Sequence, residues 1–204
     1  MNLFDYPKQY FDIFFKGKHP KKFDFTENLI EFAGVLVFLA LLQGIVAYLT
    51  NQVQEEMISI LFTSALISLA TVIILAVGVK IVFHFFKGKA KFQEIIALFC
   101  KYAAGITFWS GLAAVIVALL AFTLQESTIL SFLGMIFVVL IMYLVISIFP
   151  TMIGKISKLE KIKQPKADMI FAFAIGLFFV LLIVVSMYIG MDSGVLTEAG
   201  LNAV

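Results

Sequence analysis

Long uninterrupted apolar runs alternate along the chain with short polar or lysine-bearing segments. The five runs cover residues 29–49, 57–79, 102–122, 129–149 and 169–189. A helix rises about 1.5 Å per residue, so a run of about 20 residues covers the roughly 30 Å hydrocarbon core of a bilayer. The runs lack the alternation of barrel strands, and only helices or closed barrels satisfy their backbone hydrogen bonds in lipid. The pattern predicts an all-α polytopic membrane protein, a bundle of five transmembrane helices.

The residues that flank the runs indicate where the helices begin and end. The third helix is expected to begin before its apolar run, near Phe92, because residues 80–101 are apolar and basic together. Pro150 is expected to end the fourth helix, since proline lacks the N–H that a continuing helix uses.

Two further segments mix bulky apolar side chains with lysine. Their apolar residues are Tyr10, Phe11, Phe14 and Phe15 in the first segment, and Val82, Phe83, Phe85 and Phe86 in the second. This mixture is typical of amphipathic segments that lie along the lipid headgroup layer, with lysine attracted to anionic lipid. We therefore expect interfacial amphipathic segments at both places.

Composition supports a membrane protein. The chain of 204 residues is 62% hydrophobic and 14% charged, with a mean hydropathy of +1.08. That is more apolar surface than one soluble core could bury, so lipid must be the solvent for most of the chain.

The charge distribution predicts an orientation. All 15 basic residues are lysines: five precede the first run, five separate the second and third, and five separate the fourth and fifth. Residues 50–56, 123–128 and 190–204 contain none. Lysine marks the cytoplasmic side, so we expect a multi-pass protein of the cell membrane with a cytoplasmic amino terminus and an external carboxy terminus. The resulting parts are a cytoplasmic interfacial segment at residues 1–28, a five-helix transmembrane domain at 29–189 and a short external tail at 190–204.

The lysines also bear on the expected partners. Because they occur only where the orientation rule places them, with no separate basic domain, no nucleic-acid partner is expected. Membrane lipids, anionic on the inner face, are expected instead. A protein partner or a second copy of the chain is compatible with the sequence.

Five ionisable residues are candidates for chemistry, and all map to the expected inner ends of the runs. They are Glu31, Lys80, His84, Glu94 and Lys101. Glu31 is expected to pair with Lys80 or Lys101, because opposite charges reduce each other's desolvation cost.

The sequence contains no pattern typical of a metal site or a phosphate-binding loop. His19, His84 and Cys100 do not have the spacing of a metal site, and there is no glycine-rich phosphate loop. No catalytic, cofactor-binding or metal-ligating residue is therefore predicted, and the protein is not expected to be an enzyme.

Small and polar residues within the runs suggest helix contacts. Ser110, Ala114 and Ala118 follow one another at four-residue spacing and form a strip that another helix can approach closely. The strip fits packing within the bundle or a seam between two copies. Gln43 is expected to form a hydrogen bond between helices or to line a small cavity.

Three stretches resemble the Yip domain family of five-span membrane proteins, in its short prokaryotic form. They are Tyr6-Pro7-Lys8-Gln9-Tyr10-Phe11, Phe85-Phe86-Lys87-Gly88-Lys89-Ala90-Lys91-Phe92-Gln93-Glu94 and Lys101-Tyr102-Ala103. The likeness covers nearly the whole chain. It implies a five-helix membrane domain and no particular reaction.

The leading functional expectation is a non-enzymatic membrane scaffold or membrane-organising protein. The alternative is a small transporter or channel. Its path would be lined by polar residues of the runs, namely Gln43, Thr63, Ser64, Ser68, Thr71 and Thr107. A membrane enzyme would need Glu31, His84, Glu94 and Lys101 to meet in one open cleft.

Overall fold

The computed structural model describes residues 5–16, 23–49, 57–124 and 127–192, which form six helices and no strand. The helices are α1 (Asp5–Lys16), α2 (Phe25–Leu49), α3 (Met57–Phe85), α4 (Phe92–Leu124), α5 (Ser127–Glu160) and α6 (Gln164–Asp192). The all-α class predicted from the sequence is confirmed.

Among the residues that the structure describes, three helical segments are long and apolar enough to cross a membrane: Phe25–Leu49, Leu61–Phe85 and Phe92–Leu120. Only 28%, 28% and 22% of their most apolar windows are buried inside the protein. Most of their side chains are therefore exposed or half-buried, and lipid would cover the exposed ones. This agrees with a membrane protein.

Two predicted helix boundaries can be compared directly with the structure, the start of α4 and the end of α5. The third long helix, α4, begins at Phe92 as expected. The prediction that Pro150 ends its helix is wrong, because α5 continues to Glu160. Pro150 is exposed, whereas Ile148 and Met152 on either side of it are buried. Burial of these two side chains stabilises the helix on both sides of Pro150. The proline itself removes only one backbone hydrogen-bond donor, so the helix can continue past it.

The central element of the bundle is α4, which packs most extensively on α2 and also contacts α3 and α5. Helix α6 packs on α3 and α5. The close approach of α2 to α4 occurs at Gly111, where an added Cβ would lie 2.6 Å from Leu39 Cδ2. Ala114 is only half-buried and Ala118 is exposed. The tight contact with α2 therefore runs through Gly111 rather than along the predicted strip.

Helix α1 packs on the bundle by one face. Tyr10, Ile13 and Phe14 are buried, whereas Phe11 and Phe15 are exposed. Residues at spacings of three and four share a face of a helix, so α1 is amphipathic, as its sequence predicted.

The second predicted interfacial segment is the C-terminal end of α3 and the turn after it. Val82 and Phe83 are buried, and Phe85 and Phe86 are exposed. This segment therefore continues a long helix and does not lie apart from it.

The well-packed part of the molecule lies toward one end, which we call the lysine-rich end. It comprises α1, the start of α2, the α3–α4 turn, and the α5–α6 turn with the helix ends beside these turns. In α3, residues 61–75 are exposed or half-buried, and Ala76, Val79 and Lys80 after them are buried. The polar clusters described next lie at this packed end.

Candidate functional site

A buried carboxylate of α2 joins three helices. Glu31 accepts hydrogen bonds from Lys101 Nζ of α4 at 2.6 and 2.7 Å, and from the Tyr10 hydroxyl of α1 at 2.5 Å. Lys101 Nζ also donates to Gln9 Oε1 at 2.9 Å. The side chains of Lys101 and Glu31 are only 5% and 1% exposed. We call Gln9, Tyr10, Glu31 and Lys101 the Glu31 cluster.

Two neighbouring residues explain why the helices meet there. Asn28, one turn before Glu31, donates from Nδ2 to the Ala97 carbonyl oxygen at 3.2 Å, which ties α2 to α4. Gly105 of α4 has no side chain, and an added Cβ would lie 2.9 Å from Phe14 Cζ and 3.2 Å from Tyr10 Cδ1. Glycine therefore lets α1 approach closely enough for the Tyr10 hydroxyl to reach Glu31.

A second buried carboxylate ends α5. Glu160 accepts hydrogen bonds from Lys80 Nζ of α3 at 2.8 and 3.0 Å and from the Ala90 backbone N–H at 2.9 Å. The Lys80 and Glu160 side chains are 3% and 0% exposed. The Glu160 backbone carbonyl also accepts from the Lys89 N–H at 3.2 Å. We call Lys80, Lys89, Ala90 and Glu160 the Glu160 cluster.

The two helices that lead into the Glu160 cluster end in the same way. After α3, the Gly88 N–H donates to the Phe83 carbonyl at 2.9 Å, and Lys87 has a φ of 64°. After α5, the Ile162 N–H donates to the Ser157 carbonyl at 3.1 Å, and Lys161 has a φ of 55°. Both are Schellman ends with lysine where glycine is usual, at a cost of about 1 kcal/mol each.

Charge-assisted hydrogen bonds hold both carboxylates. A buried ion pair is strongly destabilised when one partner is removed, because the other charge is then left without compensation. Each cluster joins elements that are far apart in sequence, so its main effect is to fix the arrangement of the lysine-rich end.

The five ionisable candidates from the sequence do not form one cluster in the structure. Glu31 and Lys101 form the expected pair, whereas Lys80 pairs with Glu160 and not with Glu31. His84 is exposed at the end of α3. Glu94 accepts a hydrogen bond from the Lys91 N–H at 2.9 Å and so caps its own helix. Sequence reasoning did not include Glu160, although it is the only acidic residue between Lys155 and Lys166.

The polar residues considered for a solute path lie mainly on the outside. Gln43, Thr63, Ser64, Ser68 and Thr71 are exposed, and Thr107 is half-buried. Three hydroxyl groups instead bond to carbonyls of their own helix: Ser64 to Leu61, Ser68 to Ser64, and Thr71 to Ile67. Hydroxyl groups satisfied in this way can face lipid at little cost.

A groove of about 600 Å³ lies between α2 and α3, on the side away from the lysine-rich end. Among its lining residues are Ala40, Gly44 and Tyr48 of α2, and Leu61 and Ala65 of α3. Its lining is almost entirely apolar, and Gln43 is not part of it.

Metal-binding groups do not come together in the described part of the chain, which contains no cluster of three or more His, Cys, Asp or Glu side chains. Cys100 is buried and free of disulfide bonds. His19 lies outside the described residues.

No known protein family, curated protein or solved structure matches the chain.

Proposed function

We propose that this chain is a non-enzymatic membrane scaffold or membrane-organising protein of the Yip type, which crosses the bilayer five times with its amino terminus in the cytoplasm. The arrangement of charge carries the proposal. Lys80 and Lys101, the buried lysines of the described residues, are each neutralised by a carboxylate of another helix. The charges therefore fix one end of the bundle and do not form an open polar route.

Helix lengths and charge distribution support the five-span arrangement. Helices α5 and α6 contain 34 and 29 residues. At about 1.5 Å per residue, both exceed the roughly 30 Å of a bilayer core. The lysine-bearing segments at the start of α2, between α3 and α4, and between α5 and α6 would then lie on one side of the membrane.

A scaffold acts by holding other membrane components and needs no translocation path. The exposed positions of Gln43, Thr63, Ser64, Ser68 and Thr71 support this role over that of a transporter. The apolar lining of the groove between α2 and α3 also supports a scaffold over a transporter, because a path for polar solutes needs polar groups along it.

Two measurements on the full chain test the proposal. Purification in mild detergent, followed by mass spectrometry, should recover the same membrane proteins in independent preparations but not with an unrelated multi-span protein. Vesicles that contain the purified protein should show no more solute flux than protein-free vesicles. A specific flux that Gln43→Leu abolishes would overturn the scaffold in favour of a small transporter or channel.

A further inference from the structure

The two turns of the lysine-rich end carry a concentration of exposed positive charge. The exposed lysines are Lys87, Lys89 and Lys91 beside α3 and α4, and Lys158, Lys161, Lys163 and Lys166 beside α5 and α6. Residues 85–92 and 158–166 contain one carboxylate, that of Glu160, and it is buried and paired with Lys80. The exposed surface of these two segments is therefore strongly positive.

These lysines belong to one surface because the two segments are joined. The Glu160 carboxylate and backbone carbonyl accept hydrogen bonds from the Ala90 and Lys89 N–H groups at 2.9 and 3.2 Å. Lys166 Nζ lies 5.8 Å from the centre of the Phe86 ring. Three separate contacts thus hold the two turns together.

Large apolar side chains border the same lysines. Phe85, Phe86 and Phe92 are 80%, 43% and 46% exposed, and Met169 is 75% exposed. Lysine beside exposed phenylalanine, at the ends of long apolar helices, matches a molecule that carries both a negative phosphate and hydrocarbon chains.

We propose that residues 85–92 and 158–166, joined by Glu160, form one binding surface for anionic phospholipid headgroups. The lysines bind the phosphate, and the phenylalanine rings contact the glycerol and the first carbons of the acyl chains. Glu160 is a positioning residue, since it holds the turns together without touching the lipid. This inference rests on the proposed membrane function and identifies the surface at which that function meets lipid.

Native mass spectrometry of the full chain in a neutral detergent tests the surface. The probes are phosphatidylglycerol and phosphatidylcholine with identical acyl chains. The wild type should bind phosphatidylglycerol more tightly. In the double variant Lys161→Gln, Lys163→Gln, the affinity for phosphatidylglycerol relative to phosphatidylcholine should fall about fivefold for each lysine removed. The control, Lys8→Gln with Lys16→Gln, removes the same formal charge from exposed positions of α1, which lies outside the two joined turns, and should reduce the preference for phosphatidylglycerol less.

The substitution Glu160→Gln tests whether Glu160 acts by holding the two turns together or only through the net charge of the protein. The substitution makes the protein more positive, so overall attraction predicts tighter binding of phosphatidylglycerol. Loss of the joined turns predicts weaker binding, which is the result expected here. If Glu160→Gln does not fold, the two exposed-lysine variants still decide the question.

Several results would overturn the proposal. Equal binding of the two lipids by the wild type would do so, as would equal losses in both double variants. Competition by a short oligonucleotide or by inorganic phosphate as effective as that by phosphatidylglycerol would assign the surface to soluble anions. The lipid measurement is independent of solute flux and of protein partners, so its failure would leave the scaffold proposal to its own test.

Discussion

At the scale of single residues, one of the two buried carboxylates could be predicted from the sequence and the other could not. Glu31 was predictable as a paired residue because it is the one charge within an apolar run and must be compensated there. Glu160 was not, because it lies among lysines in a segment that resembles a solvated turn. Only the tertiary contact between the α3 and α5 ends shows that it is buried.

Lys80→Met should lower the free energy of unfolding by about 3–5 kcal/mol, because Glu160 would remain buried without its cation. Chemical unfolding in detergent micelles, followed by circular dichroism, measures this. The double variant Lys80→Met, Glu160→Gln should recover part of the loss, since no uncompensated charge remains. If the single variant is as stable as the wild type, the buried pair does not stabilise the fold.

Gly88→Ala tests the close contact at the same cluster. An added Cβ would clash with Glu160 Oε2 and would lie 2.9 Å from the Phe83 carbonyl oxygen. Because the Glu160 carboxylate is held by Lys80 and Ala90, it cannot move away freely, and a loss of about 1–3 kcal/mol in unfolding free energy is expected.

Gly78→Ala is the matched control on α3. An added Cβ there meets nothing within 4 Å, and alanine in a helix is favoured over glycine by about 0.5–1 kcal/mol. The control should therefore be at least as stable as the wild type. Similar thermal unfolding of both alanine variants would mean that the space around Gly88 is not restricted.

At the scale of elements, apolar runs and flanking charges predicted the long helices, because length and hydropathy are local properties. The start of α4 at Phe92 also followed from the sequence. The end of α5 did not, since packing of Ile148 and Met152 overrides the local effect of Pro150. The amphipathic pattern of α1 predicted a helix with one apolar face but not that this face covers Glu31 and Lys101.

Gly105→Ala should weaken the docking of α1, because the added methyl group would meet Phe14 and Tyr10. Hydrogen exchange of the Asp5–Lys16 amides should become faster, while exchange in the core of α4 should change little. Gly44→Ala, where an added Cβ has no neighbour within 4 Å, is the control and should leave α1 unchanged. Unaltered exchange in the Gly105 variant would show that close approach at this glycine is not needed for docking.

At the scale of the whole molecule, the buried side chains that the structure describes are concentrated where the charges are. The Glu31 and Glu160 clusters close the lysine-rich end, whereas a groove of about 600 Å³ separates α2 and α3 farther along. The sequence predicted that the lysine-bearing segments share one side, because the orientation rule depends on charge alone. It could not predict that α1 and two turns join there through buried carboxylates, since those contacts link residues 21 to 80 positions apart.

The five-span arrangement makes a prediction about which positions face the outside of the cell. Cys100 is buried and should be changed to alanine first, so that each added cysteine is the only one in the chain. Cysteine at Gln54, Glu126 or Asn202 should react in intact cells with a reagent that cannot cross the membrane. Cysteine at Lys18, Lys89 or Lys161 should react only after the membrane is opened, because these positions replace lysines of the expected inner side. Lys89 and Lys161 are exposed, so their lack of reaction in intact cells would not come from burial in the protein. External reaction at Lys89 would refute the arrangement, because it would place the turn between α3 and α4 outside the cell.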